Sequence, residues 1–111
     1  MTGVQTCALP IFVDEANIES HGLWFAHATG LIPEETILPS DCPEALGVVL
    51  NRARAMYERD KNRPSILIWS LGNESFGGIN FYEMSRYFHE VDPTRLVHYE
   101  DVAWDPRYPD K

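Results

Sequence analysis

This sequence is short of several things, and each shortage narrows what it can be. Two cysteines in 111 residues, Cys7 and Cys42, have neither metal-ligand nor disulfide-framework spacing, which excludes a small fold stapled by bridges or zinc. A reducing, cytoplasmic setting is the matching expectation. Basic residues are few: 9 Lys and Arg stand against 17 Asp and Glu, a formal net charge of −8. Without a basic cluster, phosphate-backbone binding is not expected and nucleic acid is set aside as a partner. No apolar run reaches the ~18–20 residues of a membrane span, and no charged n-region leads into an apolar h-region. Neither a membrane partner nor a signal peptide is therefore expected. There is no internal repeat and no low-complexity tract. The remaining composition, 44% hydrophobic and 23% charged, is that of one small globular domain.

The first residues stand apart. Met1 to Pro10 carry no clear period, and Gly3 to Ile11 resemble the translation of a sequencing adapter. Residues 1–11 are accordingly expected to be a non-native or disordered tail, with residues 12–111 carrying the fold.

The most informative stretch is Ile66-Leu67-Ile68-Trp69-Ser70-Leu71, a short and nearly continuous apolar run. It predicts a parallel strand buried on both faces. Gly72 stops it, and Asn73 and Glu74 follow at once. Polar groups directly beyond the C-terminal end of such a strand are where α/β enzymes place their chemistry. Two more short strands are predicted, at Ile11–Val13 and Leu96–Tyr99. Between them lie two helices. Asp41 and Glu44 have capping-box spacing, and Leu46, Val49, Leu50, Ala53, Met56 and Tyr57 form one apolar stripe that ends before Pro64. Phe81, Met84, Tyr87 or Phe88, and Val91 form a second, over about Asn80 to Glu90. Leu23 to Pro39 has no sustained period and reads as a long loop, of the kind that is often functional or covers something. Strands alternating with helices imply parallel pairing and right-handed crossovers. Three strands cannot close a barrel of about 250 residues. The chain reads as a piece of a larger sheet or barrel.

Every predicted strand ends in acid: Asp14 and Glu15, Glu74, and Glu100. Any one of these alone reads better as a helix cap or a solvated loop residue. Glu74 is the exception, because Asn73-Glu74 follows the apolar run with only Gly72 between. Glu74 and Glu100, on neighbouring strand ends, could form the two-carboxylate pair of a glycosidase, and Glu74 could equally work with a carboxylate outside this chain. Glu19 and His21 would share one face of an extended segment and could hold a divalent ion with a third ligand from a neighbouring strand end. On spacing alone an exposed loop pair is the better reading. His27, His89 and His98 have no partner pattern.

At these residues a family becomes recognisable. Val13-Asp14-Glu15-Ala16-Asn17-Ile18-Glu19-Ser20-His21-Gly22 and Ile68-Trp69-Ser70-Leu71-Gly72-Asn73-Glu74-Ser75 resemble two signatures of glycoside hydrolase family 2. Arg59 to Ser65 and Val91 to Arg95 are similar to the segments between them, in family order over residues 12–100. The likeness is strongest to the large bacterial β-galactosidases. β-Glucuronidases and β-mannosidases share Asn-Glu at this strand end, while Glu19-Ser20-His21-Gly22 favours the galactosidase branch. The resemblance implies a partial (β/α)₈ TIM barrel of α/β class, about three parallel strands with two crossover helices. It implies that Glu74 is the general acid/base of a retaining exo-β-galactosidase acting on a β-galactoside, and that Asn73 binds the sugar 2-hydroxyl. It also implies that Glu19, His21 and Glu74 hold magnesium, that Glu100 has a supporting role, and that the parent is a homo-oligomer. Two departures stand out. The family nucleophile is a Glu on a later strand, beyond residue 111. Many relatives read Gly-x-Gly after Glu-Ser, where Phe76-Gly77-Gly78 stands here. The rival class is non-enzymatic: an inactive partial barrel or a metal-binding fragment.

Overall fold

The computed structural model describes residues 10–33 and 36–101. Cys7, the rest of residues 1–9 and the terminal stretch from Trp104 lie outside the described residues. Of the segment expected to be foreign, Ile11 is described and is 72% exposed.

Three strands, β1 (Phe12–Glu15), β2 (Ile66–Ser70) and β3 (Leu96–His98), form one parallel sheet in that order. Asp14 stands opposite Trp69 and Trp69 opposite Val97, so β2 is the middle strand. Helix α1 (His21–Ala28) follows β1. Helices α2 (Leu46–Asp60) and α3 (Ile79–Val91) make the two crossovers. A 3₁₀ turn, Pro43–Ala45, leads into α2. No helix among the described residues is long and apolar enough to cross a membrane.

The core lies between the sheet and the two crossover helices. Val49, Ala53 and Met56 from α2, and Phe81, Met84 and Phe88 from α3, meet Ile66, Trp69 and Leu71 from the β2 segment. Of the two candidates on α3, Phe88 is the fully buried one, and Tyr87 packs at the edge. Trp69, with no exposed surface, stacks on Phe88 at 5.4 Å and meets Tyr57 edge-on at 5.9 Å. Burying an aromatic ring of this kind removes roughly 150–250 Å² from water, about 4–6 kcal/mol.

Its polar edge is satisfied as well. Trp69 Nε1 donates to Asp92 Oδ2 at 3.0 Å. Asp92 also accepts from Arg95 Nη1 at 2.6 Å and from Thr94 Oγ1 at 2.6 Å. Arg95 in turn donates to the carbonyls of Ile66, Lys61 and Arg63, and its guanidinium lies 5.1 Å from the Trp69 ring centre. Burial works against a charge on Asp92, but the hydrogen bonds from Thr94, Arg95 and Trp69 outweigh it and hold the carboxyl far below the usual carboxylate range.

Three expectations need correcting. The stretch from Leu23 is not all loop, because α1 occupies His21–Ala28. Its apolar residues go all round the axis instead of forming a stripe, and periodicity cannot see such a helix. Asp41 caps a different helix from the one expected. Cys42 is the residue before the 3₁₀ turn, with no side-chain cap bond, and Asp41 Oδ1 instead accepts the Ile79 N–H of α3 at 2.9 Å. Finally, β2 is not buried throughout on both faces. Ile68 is only half-buried and its register partners Val13 and Leu96 are exposed, while on the Trp69 face Leu67 is 47% exposed.

Asp92→Ala should lower the free energy of unfolding by about 3–5 kcal/mol, since it leaves the Trp69 indole N–H buried and unpaired and the half-buried Arg95 without its partner. Urea titration followed by tryptophan fluorescence measures this, and coincident midpoints would refute it. Because the folded state depresses the Asp92 pKa, its contribution is complete above the unfolded value near ~4 and is lost as pH falls below it. Stability that rises on acidification below pH ~4 would contradict the assignment.

Candidate active site

Parallel pairing brings the C-terminal ends of the strands into one row, with Glu15 beside Ser70 and Ser70 beside His98. The Ser70 hydroxyl donates to Glu15 at 2.7 Å, so Glu15 is engaged in joining β1 to β2. Just beyond, the chain must pass under the segment after β1. Gly72 does so at φ +148°, where an added Cβ would come 2.7 Å from the Ile18 carbonyl oxygen. The Asn73 N–H then donates to that carbonyl at 2.9 Å, and Glu19 and Asn73 form an isolated parallel bridge.

This bridge assembles the site. Asn73 Nδ2 donates to Glu19 Oε1 at 3.1 Å. The His21 ring sits between two carboxylates, with Nε2 on Glu19 Oε1 and Nδ1 on Glu74 Oε2. All three side chains are about half exposed. Their meeting was expected from an extended Glu19–His21 segment. In fact His21 is the first residue of α1, and its ring reaches back to Glu19 from the helix start. The hydrogen bond to Glu19, and next that to Glu74, raises the imidazole pKa. The bond from His21, followed by that from Asn73, lowers that of Glu19. An imidazolium between two carboxylates is therefore favoured, most fully below the ordinary imidazole range and less as pH rises through the raised value. With one ring nitrogen on each carboxylate, the three groups do not face a common point. Among the described residues, no group of three or more such side chains is arranged to hold a metal ion.

Glu74 sits on an unusual backbone. Its φ is +38°, and that of Phe76 is +64°, both in the left-handed region that non-glycine residues avoid at a cost of roughly 1–3 kcal/mol each. The exit of β3 supports this turn. The N–H of Glu74 donates to Glu100 Oε1 at 3.1 Å, that of Ser75 to the Tyr99 hydroxyl at 3.1 Å, and that of Phe76 to Asp101 Oδ2 at 2.9 Å. Glu100 thus meets the backbone of Glu74, and its other oxygen lies 3.6 Å from His98 Nε2. From the far side, Ser40 Oγ donates to the Ser75 carbonyl at 2.8 Å. Gly78, at φ +125°, passes so close to Ser40 that a Cβ would lie 2.5 Å from its carbonyl carbon. The unusual Phe76-Gly77-Gly78 stretch is therefore packed on the loop before α2. The structure brings together Glu74, Asn73, Glu19, His21 and Glu100, all singled out from the sequence, and adds Tyr99, Asp101 and Ser40, which were not. The polar run Glu100-Asp101 after β3 was the available signal for the second of these.

The family model for glycosyl hydrolases family 2, TIM barrel domain, matches residues 9–110. The chain belongs to that family. Among curated relatives it is similar to a β-galactosidase of Priestia megaterium (strain DSM 319 / IMG 1521), 56% identical over 90 residues, which is 81% of this chain and 8% of that protein. A β-galactosidase of Clostridium acetobutylicum is 52% identical over 91 residues, 82% of this chain and 10% of the relative. A β-galactosidase large subunit of Leuconostoc lactis is 44% identical over 97 residues, 87% of this chain and 15% of the relative. The chain thus spans a small part of the length of the proteins it matches. Its three parallel strands and crossover helices are part of a family 2 TIM barrel, and the cluster around Glu74 lies at the C-terminal strand ends, where such barrels carry their sites.

Gly72→Ala should shift the Asn73–Glu74 segment and destabilise the chain by roughly 1–3 kcal/mol, because the added methyl meets backbone at a strained φ. Thermal unfolding and exchange of the Asn73 amide measure both effects. Unchanged protection of that amide would show that the close approach to Ile18 is not what places the segment.

Proposed function

We propose that this chain carries the acid/base half of a retaining exo-β-galactosidase that removes terminal β-D-galactosyl residues. The observation that carries the reading is the placement of Glu74. Its half-exposed carboxylate stands just beyond the middle of the three described strands, which are part of a family 2 barrel, on a left-handed turn and beside His21. The names of the similar proteins support galactose as the sugar.

In this reading Glu74 protonates the glycosidic oxygen as the bond breaks, then takes a proton from the incoming water. The opposing nucleophile, a second carboxylate, comes from a part of the parent protein beyond residue 111. The Asn73 amide, already aligned by Glu19, hydrogen-bonds the sugar 2-hydroxyl. Glu100 accepts the backbone N–H of Glu74 and so supports the acid/base instead of opposing it across the sugar.

Magnesium is the proposed cofactor, held by Glu19, His21 and Glu74. Two carboxylates and an imidazole, all open to water, suit a cation that prefers oxygen ligands and keeps several waters of its own. A shared ion requires the His21 ring to turn out from between the carboxylates. Such an ion would lower the proton affinity of the carboxylate beside it. The parent is further proposed to be a cytoplasmic oligomer. The large-subunit name of the Leuconostoc lactis relative supports assembly from more than one subunit.

The purified 111-residue chain should not hydrolyse a nitrophenyl β-galactoside above background, because it lacks the nucleophile. Turnover that disappears in Glu74→Gln would overturn this and bring Glu74 and Glu100 forward as the pair. In the full-length parent, Glu74→Gln should lower kcat/KM by about 10²–10⁴-fold for poor leaving groups and much less for activated aryl ones. Equal losses for both would exclude the acid role.

His21→Ala should weaken the magnesium dependence of the full-length parent while leaving slow catalysis. Titration of magnesium into chelator-stripped protein, followed by calorimetry as well as by activity, tests this. An unchanged binding isotherm would remove His21 from the metal shell.

A further inference from the structure

Three consecutive residues leaving β3 take the N–H groups of three consecutive residues in the acid/base turn: Glu100 from Glu74, Tyr99 from Ser75, and Asp101 from Phe76. They are not equivalent. The Glu100 side chain is 40% exposed and Asp101 is partly so, and water can replace an exposed acceptor at little cost. Tyr99 is 6% exposed, and Ser75 has no exposed surface. If the phenol were lost, the Ser75 N–H would become a buried donor with nothing to take it.

Tyr99 also works in both directions. Its hydroxyl accepts from Ser75 N–H at 3.1 Å and donates to the Phe76 carbonyl at 2.7 Å. One oxygen thereby ties the residues on either side of the Ser75–Phe76 peptide, next to Glu74 at φ +38° and including Phe76 at φ +64°. A left-handed pair without glycine persists only where its surroundings determine it fully. The ring that carries this oxygen is itself fixed, stacked on Phe81 of α3 with centroids 4.3 Å apart and planes 13° from parallel. Phe81 is 1% exposed. Burial also pushes the phenol far above its ordinary pKa, so it keeps the proton that it gives to Phe76.

We propose that Tyr99 is a positioning residue for the acid/base: through Ser75 and Phe76 it holds the left-handed turn that aims the Glu74 carboxylate at the glycosidic oxygen. The proposal rests on the acid/base reading of Glu74. Rigidity passes from the core, through the Phe81–Tyr99 stack, to one hydroxyl and then to the turn. Phenylalanine in this place keeps the stack and loses both hydrogen bonds. A carboxylate would be unable to donate.

Tyr99→Phe in the full-length parent isolates the hydroxyl. Misplacing the acid/base slows bond cleavage where the leaving group needs a proton, and separately slows the later attack by water. In kcat/KM, which reports the first bond cleavage, the loss should be about tenfold or more for alkyl β-galactosides and under about threefold for dinitrophenyl β-galactoside. Equal loss for both, or none for either, overturns the proposal. Glu74→Gln, measured on the same substrates, separates the two layers. If it is unselective, the acid/base reading itself fails; if it is selective and Tyr99→Phe is not, only the positioning role fails. The 111-residue chain gives a second measurement. Tyr99→Phe should speed exchange of the Ser75 amide by about tenfold or more. The Leu71 amide, bonded to the His98 carbonyl at 3.0 Å, should be unaffected. Unchanged protection of Ser75 overturns the proposal.

Discussion

The Asp92 carboxylate is the point on which the rest of this structure depends. It accepts from the indole of Trp69, the guanidinium of Arg95, and the hydroxyl and N–H of Thr94. Through Trp69 it fixes the middle strand. Through Arg95 it reaches the Ile66, Lys61 and Arg63 carbonyls, and so ties the end of α2 to the start of β2 and β3. A buried carboxylate with that many donors is stable where an unpaired one would be expensive. The network lies at the N-terminal ends of the strands, the stabilising end of a parallel barrel, and leaves the opposite end to chemistry.

That opposite end uses the rigidity. A glutamate and a phenylalanine in left-handed geometry, and two glycines pressed against backbone, are costly features gathered within seven residues. They persist because β3, the loop around Ser40 and the segment after β1 all bond to the same short turn. Among the described residues the non-glycine positive φ angles, at Glu74 and Phe76, both fall in this one turn, and such strain gathers where a fixed local geometry is required.

The charges there are balanced in an informative way. Glu19 and Glu74 flank His21, and the ring takes a proton more readily because of them. A magnesium ion held as proposed would compete with that proton for the same oxygens, so metal binding and imidazole protonation would be opposed.

The apolar run of β2, the stripes of α2 and α3, and the strand–helix alternation were legible in the sequence because each is a local pattern of burial. Asn73 and Glu74 were legible because they follow that run across only a glycine. Local pattern did not reveal α1, which has no stripe, or the true role of Asp41, which caps a helix 38 residues further on. Nor could it reveal Tyr99, whose hydroxyl matters only because β3 lies beside the turn. Sequence by itself determined the class of fold, the polar pair just beyond the middle strand, and the family to which the motifs point. Tertiary structure alone decided that the His21 ring lies between two carboxylates, that Glu100 meets the backbone of Glu74, and that one buried phenol closes the turn. Those are contacts between strand ends far apart in the chain, and spacing along the chain holds no record of which of them will touch.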